Sequence, residues 1–226
     1  MPRWCARRGG TSSPASLACP PVTPVPRFVL ASASPARLQT LRAAGVDAEV
    51  AVSGVDESQV TGRPGEVALT LAVRKAEAVA TGRPEALVLG CDSVLDLDGE
   101  AHGKPRDAAE AIARWQAMRG RSGVLHTGHC LIDTGSGRQS AALASTVVHF
   151  GDLTDEEITA YVGTGEPLRV AGAFTVDGLG GAFVERIEGD YHTVVGLSLP
   201  LLRRLMAEFG YGFTDLWQGS MPDRGR

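Results

Sequence analysis

Residues 123–132 and 139–148 are two runs of strand-forming character facing each other across Thr134-Gly135-Ser136-Gly137. A glycine-rich turn between such runs closes a long antiparallel hairpin. A second turn signal, Asp98-Gly99, predicts another hairpin just upstream. Hairpins in the middle of the chain preclude a purely parallel sheet. Helices must pack around a sheet that these hairpins make mixed.

The flanking segments supply the parallel part. Phe28-Val29-Leu30-Ala31 is a short buried strand, and Ser34-Pro35 then starts a helix with Leu38, Leu41 and Ala44 along one side and Gly45 at its end. Residues 48–53 read as a second strand. Residues 67–80 read as an amphipathic helix with Leu69, Ala72, Val73 and Ala76 on one face. Leu87-Val88-Leu89-Gly90-Cys91 is a further buried strand, with Asp92 expected at its C-terminal end. Helices follow over Ala108–Met118, 154–161 (with Thr154 and Glu157 in capping-box spacing) and 197–209, and a strand over 183–187. The fold class is therefore α/β, a mixed twisted sheet with flanking helices.

With 226 residues, 43% hydrophobic and 21% charged, the chain can bury a core without disulfides. Residues 1–26 are rich in Pro, Ser, Arg and Gly, lack any acidic residue and lack the apolar centre of a secretory signal, so a disordered extension is expected there. The organised domain should span 27–213, followed by a tail over 214–226. The formal charge of −4, without a broad basic surface, argues against a nucleic-acid binder. No apolar run approaches the roughly 20 residues of a bilayer span, so no membrane association is expected and a cytoplasmic location is. Cys5, Cys19, Cys91 and Cys130 contain no C-x-x-C pair, and buried free thiols are the expectation for Cys91 and Cys130.

Three segments place polar groups where a strand has just ended, the region in which α/β sheets gather ligands. Leu30-Ala31-Ser32-Ala33-Ser34-Pro35-Ala36-Arg37 offers a helix N-terminus, two hydroxyls and a guanidinium to an anion, or else is a plain cap with a solvated arginine. Asp92 could bind a hard cation or take a proton from water, or be a turn aspartate. Lys104, in His102-Gly103-Lys104-Pro105, could be a fixed charge for phosphate, although such loops are common. Asp56-Glu57 could share a metal with Asp92. Lys75 reads from pattern alone as part of a solvated helix face. His126 and His129 are three apart in a strand, point to opposite faces and cannot chelate one metal together. Neither a nucleophile elbow nor a P-loop is present.

Together these segments resemble the Maf family of nucleoside triphosphate pyrophosphatases. The matching stretches, in order, are 30–37, Ser53-Gly54-Val55-Asp56-Glu57, Arg74-Lys75-Ala76, Leu89-Gly90-Cys91-Asp92-Ser93, Gly103-Lys104-Pro105, 171–178 (AGAFTVDG) and 189–197 (GDYHTVVGL). The resemblance implies two lobes around a cleft, as in inosine triphosphate pyrophosphatases, and a homodimer. It makes Asp92 the general base and Glu57 its partner on Mg²⁺ or Mn²⁺. It also makes Lys75, Lys104 and the Ser32, Ser34, Arg37 turn the holders of the triphosphate. The implied reaction is hydrolysis to nucleoside monophosphate and pyrophosphate.

Three positions bear on the substrate. After Ser34-Pro35 the family branches resemble one another in carrying Arg (dTTP/UTP) or an aromatic residue (7-methyl-GTP), whereas this chain has Ala36. Ser93 is nearer to the Thr of one branch, and Asp177 stands where the branches have Gln or Glu. A modified or broadened nucleotide range is expected. The competing reading is a nucleotide-binding regulator of septum formation with little turnover, and a lesser one is removal of the terminal phosphate only.

Overall fold

The computed structural model describes residues 25–219. The first 24 residues, with Cys5 and Cys19, lie outside the described residues, as does the end of the expected tail. In chain order the elements are β1 (Arg27–Ala31), α1 (Pro35–Ala43), β2 (Glu49–Val50), α2 (Pro64–Ala80), β3 (Ala86–Leu97), β4 (Glu100–His102), α3 (Ala108–Met118), β5 (Ser122–Asp133), β6 (Arg138–Phe150), α4 (Asp155–Gly163), β7 (Val184–Glu188), α5 (Tyr191–Val195) and α6 (Leu199–Glu208).

They build one seven-stranded sheet in the order β2-β1-β3-β5-β6-β7, with β4 hydrogen-bonded to β3. β1 pairs parallel with β2 and β3, while the β3–β5, β5–β6 and β6–β7 pairs are antiparallel. Both turn signals close hairpins. At the upstream one, Asp98 and Gly99 have φ of 58° and 86°, the left-handed pair that a two-residue hairpin turn requires.

Side-chain alternation along β1 and β3 sorts the core onto the two faces. Phe28, Leu30, Leu87, Leu89 and Cys91 pack with Leu41 of α1 and Leu201, Leu202, Leu205 and Met206 of α6. Val29, Ala31 and Val88 pack on the other face with Ala72, Ala76 and Val79 of α2. A separate core gathers at the far end of the long strands. There Leu95, Leu97, Leu125, Val148 and Phe150 meet Trp115 of α3 and Ile158, Tyr161 and Val162 of α4. Trp115 is fully buried, meets Phe150, Tyr161 and Phe183 edge-on, and donates from Nε1 to Ala173 O at 2.8 Å. The long strands β3 and β5 join this core to the first.

Several elements depart from expectation for physical reasons. β3 does not stop at Cys91 but runs on to Leu97, because Asp92–Asp96 keeps its full ladder with β5. The 48–53 strand shrinks to Glu49–Val50, whose side chains are both exposed and supply little burial. α2 starts at Pro64, three residues early, since Pro fits its first turn and Glu66 Oε2 accepts from Arg63 N–H. The 197–209 helix is α6, starting at Leu199 because Ser198 caps it, and the short α5 before it, ending at Gly196 (φ 114°), was not expected. Residues 213–219, mostly assigned to the tail, form a 3-10 turn, with Trp217 Nε1 donating to Ala44 O at 2.7 Å.

His129 is a fully buried titratable group of this scaffold. Its Nδ1 lies 3.0 Å from Thr127 O and its Nε2 accepts from Ser198 N–H at 2.8 Å, so the ring links β5 to the cap of α6. Burial, aided by the Arg37 charge and opposed by Thr127 O and Asp190, pushes its pKa down to about 4. A depressed pKa contributes stability that is complete above the unfolded value near 6.5 and lost as pH falls toward the folded one. Acidification from pH 7 to 4 is therefore expected to cost on the order of 3 kcal/mol through this residue. Urea titrations of the wild type and His129→Gln at both pH values test it. Equal acid sensitivity of the two proteins would contradict the assignment.

Candidate active site

The site forms where β1 ends and β3 continues. The last β1 pairing is Ala31 with Gly90, so from Cys91 onward β3 has lost β1 as its neighbour while β5 still holds its other edge. Alternation then sends successive side chains to opposite faces. Asp92 follows Val88 and Gly90 to the α2 face. Ser93 follows Leu89 and Cys91 to the α1 face.

On the α2 face, Asp92 meets Lys75. Lys75 Nζ donates to Asp92 Oδ1 and stands 2.6 Å from Glu57 Oε1. Lys75 is 8% exposed and Asp92 7%, so Lys75 belongs to no solvated face, contrary to the reading of its pattern alone. The helix can come this close because β3 and β5 carry glycine beneath it. A Cβ on Gly90 would collide with Ala72 O, and one on Gly128 with Ala68 O. Burial raises the Asp92 carboxyl above the ordinary aspartate range, even though the Arg37 and Lys75 charges pull the other way. The neighbouring Cys91 thiol is pushed up to about 12 by burial and stays protonated, so it offers no thiolate nucleophile.

On the α1 face, Arg37 is the centre. Its Nε donates to Gly196 O at 2.7 Å, Nη1 to Ser32 Oγ at 2.9 Å and Cys91 O at 2.7 Å, and Nη2 to Ser93 Oγ at 3.1 Å. Four of its five N–H donors are thereby committed to protein. The guanidinium ties together β3, the Ser32 turn and the end of α5, with at most one donor left for a phosphate. Ser34 is the N-cap of α1, but its side chain makes no capping bond, and its backbone N–H donates to Ser32 Oγ at 3.2 Å. Ser93 Oγ also meets Thr127 Oγ1 at 2.9 Å, which in turn donates to Thr193 O of α5.

Ala36 and Asp177, far apart in sequence, share one groove of about 290 Å³. Gln39, Thr40, Tyr191, His192 and Leu199 also line it. Ser93 does not line this groove and stays on the Arg37 network. Lys104 is exposed, with no hydrogen bond or ion pair to any of these groups. Its loop is nevertheless held, since Gly103 O accepts from Gly172 N–H at 3.1 Å and from Arg114 Nη1 at 2.6 Å.

Thr127, Gly196 and the groove residues Tyr191 and His192 escaped sequence reasoning as individual site residues. Gly196, Tyr191 and His192 lie within the 189–197 stretch, which was the available signal. Among the described residues no group of three or more His, Cys, Asp and Glu could hold a metal. Two carboxylates, Glu57 and Asp92, do converge on one cation, the Lys75 ammonium. That donor set is too small for a calcium or zinc cage, and it suits Mg²⁺ or Mn²⁺ completed by phosphate oxygens.

A buried carboxylate thus lies beside fixed cations just past the end of β1, in the region where α/β sheets gather ligands. The model of the Maf-like protein family matches residues 27–209, and the chain belongs to that family. It is 64% identical over 197 residues to the nucleoside triphosphate pyrophosphatase of Salinispora tropica, covering 84% of this chain and 87% of that protein. It is 63% identical over 202 residues to the nucleoside triphosphate pyrophosphatase of Streptomyces coelicolor, covering 87% and 98%. Among solved structures, the Staphylococcus aureus Ham1 protein overlaps 56% of this chain and 72% of its own length, at a TM-score of 0.40 and 16% identity.

Proposed function

We propose that this chain hydrolyses nucleoside triphosphates to the monophosphate and pyrophosphate, with Asp92 activating the water. The observation that carries this reading is the convergence of Asp92, Glu57 and Lys75 on one point past the end of β1. The relatives named nucleoside triphosphate pyrophosphatase, matched over nearly their full length, support the reaction class.

In the proposed reaction a water oxygen bonds to the α-phosphorus as the α–β bridging bond breaks, and pyrophosphate takes that electron pair. Asp92 accepts the proton, and its raised pKa makes it a better base than an exposed aspartate. Lys75 offers its charge to the phosphate oxygens, and Lys104 adds a point charge from the loop before α3. Arg37, with its donors engaged, positions the Ser32 and Ser93 hydroxyls more than it grips phosphate. Glu57 and Asp92 would hold Mg²⁺ or Mn²⁺, which when bound neutralises charge on the phosphate oxygens. The groove between Ala36 and Asp177 takes the nucleobase. A small residue at 36 leaves room there, which favours a modified or broadened range of bases.

A homodimer and a cytoplasmic location belong to the same proposal, and light scattering of the purified chain tests the first. Incubation with a panel of nucleoside triphosphates and Mg²⁺ or Mn²⁺ tests the reaction. Monophosphate with pyrophosphate is expected, and chelation of the metal should stop it. Binding without turnover would favour the regulator instead. Lys104→Ala is expected to raise KM by about three- to tenfold with kcat within about twofold, as loss of a uniform binding contact does. A fall in kcat at unchanged KM would contradict that role.

A further inference from the structure

The loop that carries Asp177 has little core of its own. Asp177, Gly178 and Leu179 are all exposed, Leu179 by 59%. A loop with so few apolar contacts is drawn from the least stable part of a fold. Yet the residues on both sides of Asp177 converge on a single carboxylate. Glu166 Oε1 accepts from Thr175 Oγ1 at 2.6 Å, from the Tyr161 hydroxyl at 2.9 Å and from Gly180 N–H at 3.0 Å. Its Oε2 accepts from Leu179 N–H at 3.0 Å.

The backbone is drawn in as tightly as glycine permits. A Cβ on Gly178 would lie 2.6 Å from Glu166 Oε2 and 2.8 Å from Thr175 Oγ1, and one on Gly180 would run into the Tyr161 hydroxyl. Burial opposes the charged form of Glu166, but these donors outweigh it and hold the carboxyl below its usual range. Tyr161 in turn is anchored in the core around Trp115. The chain of contacts runs from that core through Glu166 to the two flanks of Asp177. Glu166 itself does not line the groove.

We propose that Glu166 is a positioning residue for nucleobase selection, fixing Asp177 at the groove that Ala36 also lines by gathering Thr175, Leu179 and Gly180. This rests on the reading that the groove receives the base. Substitution of the carboxylate by an amide puts an NH₂ where an oxygen accepted. In either orientation a donor then faces a donor, so at least one loop bond is lost.

The test is kcat and KM across a panel of nucleoside triphosphates for the wild type, Glu166→Gln, Asp177→Ala and the double variant. Glu166→Gln is expected to flatten the kcat/KM ranking by about fivefold or more, mainly through KM, with kcat for the best substrate within about threefold. In the Asp177→Ala background it should change the ranking by less than about twofold, because the two act as one unit. If Asp177→Ala flattens the ranking and Glu166→Gln does not, the inference is overturned while the groove reading stands. If Asp177→Ala leaves the ranking intact, the groove reading fails and the inference with it. A uniform loss for every nucleotide would make Glu166 merely structural and overturn the inference. Should Glu166→Gln not fold, Thr175→Ala removes one donor and keeps the carboxylate. A smaller flattening then supports the inference, and an unchanged ranking overturns it.

Discussion

Asp92→Asn is expected to lower kcat by about 10³-fold or more while nucleotide affinity changes by less than about threefold, the signature of a group needed for the chemistry rather than for binding. The substitution is isosteric, and its amide oxygen can still accept from Lys75 Nζ as Asp92 Oδ1 does. What disappears is the proton acceptor and one negative charge. Stability should not fall with it. Burial already disfavours the charged carboxylate enough to raise its pKa despite Arg37 and Lys75, so a neutral group at this position relieves a cost. Pyrophosphate release, binding of a fluorescent nucleotide and thermal melting, measured on the same preparation, separate the possibilities. Retained turnover would remove Asp92 from the mechanism, and lost binding would make it a ligand residue instead.

Gly128→Ala carries the largest expected effect on stability. α2 crosses the sheet over Gly128 of β5 and Gly90 of β3. An added methyl at 128 would stand 2.6 Å from Ala68 C and 2.7 Å from Leu69 Cα, and would also strike Ala68 O. All three are backbone atoms, so no side chain can swing aside, and the helix as a whole must lift. Overpacking of this kind costs about 3 kcal/mol or more. A lifted α2 also carries Lys75 away from Asp92, so residual activity should fall further than the unfolded fraction explains. Gly163→Ala near the end of α4, where a Cβ meets nothing within 4 Å, serves as the control and should leave stability unchanged or slightly raised. Denaturant midpoints and kcat of the two variants test the account. Near-native stability of Gly128→Ala would mean that the helix–sheet spacing is softer than the contacts require.

Local chemistry made much of this fold legible. The Asp98-Gly99 and Thr134–Gly137 turns, the Thr154–Glu157 capping box and the Pro-led starts of α1 and α6 each follow from residues a few positions apart. For the candidate site, local pattern offered residues but not their geometry. Nothing within residues 67–80 says that Lys75 is buried, because its burial depends on glycines at 90 and 128 in two other strands. Asp92 reads as a strand end since the apolar run stops at Cys91, whereas the strand continues on hydrogen bonds to β5 that a one-dimensional pattern does not contain. Arg37 looks like a phosphate ligand from its place in the turn. Only the fold brings Gly196 O and Ser93 Oγ to it and uses up its donors. Glu166 carried no signal of its own, since its four donors come from residues on both sides of it in the chain.

The central claim, water attack at the α-phosphorus driven from the Asp92 cluster, is tested most directly by hydrolysis of a nucleoside triphosphate in ¹⁸O-labelled water with mass analysis of both products. The account predicts the label in the nucleoside monophosphate and unlabelled pyrophosphate. Label in pyrophosphate would put the attack at the β-phosphorus, and labelled inorganic phosphate with nucleoside diphosphate would contradict the proposed reaction.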